Sequence, residues 1–255
     1  LAYNQDSLAK HITLKWNPAG LFKKTIIVNT LLVDKANVDT IKTLISSFSS
    51  VENNESEESS SGESFDIGVK VDHLSVSLEP FVEQGITVSN VMLDVKGVGY
   101  TNDDLDVRKL SLHADTNVTD IVLDASLKDG HVNVKELTIK DIDALALQTL
   151  FLPDNNESNI SEESDTLVAN EMNASNDEPL HPLIPKWVHL KKLEVSLLPF
   201  VYKPVDIRAL RLSGSNAVFD VEKLILQKAK LDMHSSTNLS DIRYKTRVKN
   251  NKLIG

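Results

Sequence analysis

The chain contains no cysteine, so disulfides, thiolate nucleophiles and cysteine-ligated zinc are all excluded. Aromatic residues are scarce at 5%, while apolar residues reach 41% and are mostly Leu, Val and Ile. That balance suits many thin strands better than the core of a globular enzyme. No apolar run approaches the roughly 18 residues of a membrane-crossing helix, and no signal peptide is visible. There is no glycine-rich phosphate loop, no His-Glu-x-x-His and no Gly-x-Ser-x-Gly. The seven histidines are scattered. His181 and His189 flank Trp187, but that spacing is not a usual metal-ligand spacing. The adjacent acids Asp103 and Asp104 have no candidate base or nucleophile beside them and read as a solvated turn. A non-enzymatic protein with no cofactor, no metal and no nucleic-acid partner is the expectation.

Basic residues are missing from two stretches. Ser50–Asp66 and Asp154–Leu180 hold 14 of the 37 acidic residues and no Lys or Arg. The formal charge of -10 therefore belongs to these stretches, and the remainder carries 27 basic against 23 acidic residues. Rich in Ser, Asn and Glu, both stretches lack the apolar surface to offset their ordering entropy and are expected to be disordered linkers.

What is present is an internal repeat. Leu74-Ser75-Val76-Ser77-Leu78-Glu79-Pro80-Phe81-Val82 returns as Leu193-Glu194-Val195-Ser196-Leu197-Leu198-Pro199-Phe200-Val201. Thr116-Asn117-Val118-Thr119-Asp120-Ile121 returns as Thr237-Asn238-Leu239-Ser240-Asp241-Ile242, with the spacing shifted by about two residues. A second correspondence links Val28–Val33 and the apolar residues Val38, Ile41, Leu44, Ile45 and Phe48 to Val134–Ile139 and Ile142, Leu145 and Leu150. One unit reads as strands, a short amphipathic helix, then an acidic linker. The division that follows is 1–49 (the end of a first β module with its helix), 50–64 (linker), 65–152 (a complete module), 153–180 (linker) and 181–255 (a third, truncated module).

Inside the modules apolar residues alternate with polar ones, as in strands with one apolar face. In the middle copy these are Leu74, Val76 and Leu78; Ile86 and Val88; Val91, Leu93 and Val95; Leu110 and Leu112; Ile121, Leu123 and Leu127; Val132 and Val134. Leu193, Val195 and Leu197 continue the set in the third copy. Asp129-Gly130 and Asn250-Asn251 are hairpin turns by composition, and Asn37 and Asp141 are candidate helix N-caps. A sheet with one apolar face must hide it. Periodicity leaves two ways open: a sandwich of two facing sheets with an ordinary dry core, or an extended, curved sheet whose apolar side forms a trough.

Six Asn-x-Ser/Thr sequons occur, at Asn54, Asn117, Asn156, Asn159, Asn173 and Asn238. In five of them an acidic residue stands two positions earlier, a pattern similar to the acceptor of a bacterial oligosaccharyltransferase. Asn54, Asn156 and Asn173 are the candidate acceptors; acidic Asn- and Ser-rich composition alone also generates such patterns. Trp16 and Trp187 each stand near a proline at the start of a module and read as turn residues rather than membrane anchors.

Two phrases carry a family resemblance: Ile12-Thr13-Leu14-Lys15-Trp16-Asn17-Pro18-Ala19-Gly20-Leu21-Phe22 followed by Ile26–Val33, and the repeated Leu-x-Val-Ser-Leu-x-Pro-Phe at Leu74 and Leu193. With these the chain resembles the TamB/AsmA-like, repeating β-groove proteins of the bacterial envelope. The resemblance implies a periplasmic protein, anchored in the inner membrane by a segment outside this chain. Its groove would hold phospholipid acyl chains for transport toward the outer membrane, or assist outer-membrane biogenesis with assembly proteins as partners. A structural or protein-binding β-repeat scaffold is the alternative expectation.

Overall fold

The computed structural model describes residues 2–3, 6–49, 67–101, 104–151 and 185–254. Both expected linkers, and with them Asn54, Asn156, Asn159 and Asn173, lie outside the described residues.

The chain opens with a two-residue pair, β1 (Ala2–Tyr3) and β2 (Asp6–Ser7). Then come β3 (Ala9–Asn17), β4 (Thr25–Ala36) and α1 (Val38–Ser49). The next segment holds β5 (Gly68–Leu78), β6 (Phe81–Glu83), β7 (Ile86–Thr101), β8 (Asp104–Thr116), β9 (Asp120–Lys128), β10 (His131–Ile142) and α2 (Ala144–Phe151). The last holds β11 (Trp187–Leu197), β12 (Phe200–Tyr202), β13 (Val205–Asp220), β14 (Ile225–Thr237), β15 (Asp241–Lys249) and β16 (Lys252–Ile254). Strand by strand, β5–β9 and β11–β15 have the same lengths: 11, 3, 16, 13 and 9 residues. The two-residue offset of the repeat falls between β13 and β14, where Val221–Leu224 connect the strands.

β3 to β16 join one 14-stranded sheet, in the order β16-β15-β14-β13-β11-β10-β9-β8-β7-β5-β4-β3, with β6 beside β7 and β12 beside β13. The sheet is open: β3 and β16 are its edges and do not pair with each other, so it is not a closed barrel. Pairing is antiparallel within each segment, as alternation and hairpin turns predict. At the two junctions, β4 with β5 and β10 with β11, it is parallel. The expected antiparallel modules are thus present, and their parallel junctions make the sheet as a whole mixed. The physical reason is the helix after β4 and β10, which belongs to a crossover returning the chain to the same end of the sheet, as parallel neighbours require.

Both junctions use the same local devices. Lys35 and Asp141 adopt left-handed backbone (φ 51° and 55°). Their N–H groups donate to the hydroxyls of Ser77 and Ser196, at 2.9 and 3.2 Å. Asn37 then caps α1, accepting from Thr40 N at 2.9 Å, and Asp143 caps α2, accepting from Ala146 N at 2.9 Å. Asp141 thus lies within β10, one residue before its end, and is not the N-cap that spacing suggested. Asp129-Gly130 (φ 51°, 71°) and Asn250-Asn251 (φ 48°, 58°) form the expected two-residue hairpin turns, where both residues need positive φ.

Candidate apolar binding face

Directly opposed residues in a sheet share a face. Following partners across the strands therefore shows which side chains stand together. One row runs Ile12–Val33–Val76–Leu93–Leu112–Leu123–Leu137–Leu193–Gly214–Leu231–Thr246, across eleven strands from β3 to β15. A second runs Leu14–Leu31–Leu74–Val95–Leu110–Ala125–Val134–Leu190–Ala217. On one side lies Val91–Ala114–Ile121–Ile139–Val195–Leu212–Met233–Tyr244. On the other lies Trp16–Val28–Val71–Val98–Val107–Leu127–Val132–Val188–Phe219–Leu226. Fourteen of the 18 residues singled out by alternation stand in these rows. The other four lie toward the β6 and β12 end: Leu78 opposite Ala36, Leu197 opposite Ile142 and Leu210, Val88 opposite Phe81 and Thr116, and Ile86 opposite Glu83.

Strict alternation would not produce such rows. In six strands two apolar residues three apart enclose two that point to the other side: Val28/Leu31, Val71/Leu74, Val95/Val98, Val107/Leu110, Val134/Leu137 and Leu190/Leu193. The regular strand β9 shows how the phase is kept. Its Leu127, Ala125 and Leu123, each two residues apart, face Val107 and Leu110 on one side and Val132, Val134 and Leu137 on the other, across register shifts in both neighbours. Such a shift is a β-bulge or a like irregularity; a bulge adds a residue to one strand and increases its local bend and twist. The bulges lie side by side, so the apolar rows cross them without changing face. This step of three was the signal that a search for strict alternation missed.

With strands about 4.8 Å apart and same-face residues about 6.6 Å apart along a strand, the rows cover roughly 40 by 20 Å. Among the described residues no large side chain is fully buried. Shielding is uneven along the rows: Val95, Val134 and Thr246 are 5%, 8% and 7% exposed, whereas Leu14 and Trp16 near the β3 edge are 56% and 50% exposed. Among the described residues of this sheet, the closely packed strand pairs are all hydrogen-bonded neighbours.

The opposite face is charged and laced with pairs. Lys192 reaches from β11 to Glu136 on β10 at 2.7 Å and to Glu194 at 3.2 Å. Its ammonium holds the Glu136 carboxyl below the usual carboxylate range, chiefly through the hydrogen bond it donates, and Glu136 in turn raises Lys192. The His73 imidazole donates to Asp94 at 2.6 Å and depresses that carboxyl, with Lys96 adding to the effect. Lys245 pairs with Asp232 at 2.9 Å. These pairs are solvent-exposed and contribute little individually.

Two sequons have a structural use. The Asn117 side-chain oxygen accepts from Thr87 N at 2.9 Å, and that of Asn238 accepts from Asp206 N at 3.0 Å, each tying a tight turn to the neighbouring strand. Asp104, Asp106 and Asp129 bring three exposed carboxylates together, a grouping that spacing did not reveal. His131 and His189 meet edge to face on neighbouring strands, with ring centres 5.9 Å apart. No described helix is long and apolar enough to cross a membrane. Comparison with protein-family models, curated proteins and solved structures finds no match to this chain.

Proposed function

We propose that this chain is a non-catalytic β-groove segment of the bacterial cell envelope, in the periplasm, whose apolar face carries phospholipid acyl chains between the membranes. The observation that carries the reading is the set of four apolar rows crossing eight to eleven strands, with no second layer of strands packed on them among the described residues. The resemblance of the Leu-x-Val-Ser-Leu-x-Pro-Phe phrases to repeating β-groove proteins agrees with it. An acyl chain lying along a row gains about 0.8 kcal/mol per methylene removed from water, with no bond formed and no proton moved. Headgroups stay at the rim, where strand ends and turns offer polar groups.

The test is phospholipid extracted from the purified chain and quantified by mass. Leu93 and Leu123 sit in the same row on either side of Leu112. Carboxylates there are costly to bury against acyl chains. The Leu93→Glu/Leu123→Glu protein is expected to purify folded and free of lipid. Bound phospholipid in the folded double variant contradicts the reading. An unmodified chain that never acquires lipid assigns the face to a protein partner instead.

A further inference from the structure

The two parallel junctions share one backbone and differ in chemistry. At the first, Asp39 and Lys42 on α1 face a hairpin carrying Glu79 and Glu83. Lys42 pairs with Glu83, and Lys10 with Glu79 at 3.5 Å. At the second, the matching positions are Leu145 and Gln148 on α2, and Leu198 and Tyr202 around β12. Leu198 N donates to Ile142 O at 2.9 Å, which sets this turn beside the start of α2, as Glu79 N does to Ala36 O at the first junction. Here the apolar side chains are left in water: Leu145, Leu198, Val201 and Tyr202 are 43%, 41%, 55% and 65% exposed. Lys203 follows at the tip of the hairpin, where the first junction has Gln84.

Behind this tip the polar face of the sheet is basic. Residues 185–255 carry 14 Lys and Arg against 6 Asp and Glu, whereas residues 67–151 carry 7 against 14. A hollow of about 570 Å³ on that face is lined by Lys140, Arg211, Arg243 and Lys245, and also by the carboxylates Asp141, Glu194 and Asp232. Lys245 is engaged by Asp232, but among the described residues Lys140 and Arg211 have no carboxylate partner.

We propose that the end of the sheet formed by α2 and the β12 hairpin docks on an anionic phospholipid bilayer, with Val201 and Tyr202 entering the interface and Lys203, Lys140 and Arg211 meeting headgroup phosphates. Exposed Leu, Val and Tyr beside unpaired cations is the chemistry of a membrane interface. An acidic protein partner would use the cations but leave the apolar tip unexplained. The first junction, with its acidic hairpin closed by ion pairs, does not share the property. The inference stands apart from acyl-chain transport, since it uses the tip and the polar face rather than the apolar rows.

Flotation of the full chain with phosphatidylcholine vesicles, with and without phosphatidylglycerol, tests it. The chain floats with the anionic vesicles, and Val201→Glu/Tyr202→Glu lowers the bound fraction about ten-fold, as does loss of the phosphatidylglycerol. Val82→Glu, at the equivalent exposed position of the first hairpin (66% exposed), leaves flotation unchanged. Leu93→Glu/Leu123→Glu also still floats, which separates docking from the acyl-chain reading. Failure of the unmodified chain to float, equal flotation of Val201→Glu/Tyr202→Glu, or equal loss with Val82→Glu overturns the proposal. So does binding to polyglutamate without binding to vesicles. Thermal unfolding by circular dichroism confirms that each variant is folded.

Discussion

The two faces of this sheet are one residue apart in sequence and differ in almost every physical respect. Leu93 and Leu123 stand in an apolar row that runs through eleven strands, while their neighbours Met92 and Val122 look out from the other side among His113, Thr138 and Glu194. Because side chains alternate with a period of two, a one-residue step is enough to change face. The polar side carries Met, Val, His and charges of either sign, and the net charge of the whole segment reverses between residues 67–151 and 185–255. The apolar side is mostly Leu, Val, Ile and Ala from strand to strand, with Trp16, Gly214, Phe219, Met233, Tyr244 and Thr246 toward its edges.

The sharpest break of this comparison is a charge placed on either side. Leu93→Glu/Leu123→Glu should lose its phospholipid and also unfold more readily. Met92→Glu/Val122→Glu, one residue away in each strand, should keep both lipid and stability. Lipid mass per protein and urea unfolding read the two effects together. Next in size is the truncation of a shielded valine. Val134→Ala removes two carbons from the middle of the face and should cost about 1–2 kcal/mol, whereas Val122→Ala on the polar side should cost less than about 0.5 kcal/mol. Equal costs would mean that the two faces are alike in packing.

Much of this was legible in the sequence, and the reasons are specific. The repeated Leu-x-Val-Ser-Leu phrase and the Thr-Asn-x-Ser/Thr-Asp turns announce matching strands because the strand faces and turn geometry impose the same residue types in each copy. Asp129-Gly130 and Asn250-Asn251 are readable as hairpins because few residues accept consecutive positive φ values. The bulges were not legible as such: Val107-Arg108-Lys109-Leu110 looks like an interrupted strand until its partners are known. The parallel junctions also escaped, since they depend on how the chain returns across the linkers and not on any local pattern. Nor does spacing alone distinguish Asp141 from Asp143 as the helix cap, because both precede the same apolar run.

Smaller effects sharpen the comparison between copies. Asn117→Ala and Asn238→Ala each remove one turn-locking hydrogen bond and should each cost about 1 kcal/mol, equal within a few tenths. A large difference between them would show that the two turns do not carry equivalent strain in the sheet. The smallest expected effect concerns the Lys192–Glu136 pair across the second junction. Glu136 has its folded-state pKa lowered by Lys192, so the pair's contribution is present above the ordinary carboxylate range and is lost as pH falls through the lowered value. Lys192→Met should be slightly less stable than the unmodified chain near neutral pH and indistinguishable from it in acid. The effect is small because both side chains are more than a third exposed (49% and 38%) and water screens them.

The central claim is the proposal that phospholipid lies against the apolar side of the sheet, and a photo-reactive side chain tests it directly. Leu112 lies in the longest apolar row, and His113 beside it points the other way. With a photo-crosslinking residue at each position in turn, irradiation of the lipid-loaded chain should give phospholipid adducts by mass at position 112 and none at 113. Adducts at both positions, or at 113 alone, would contradict the account.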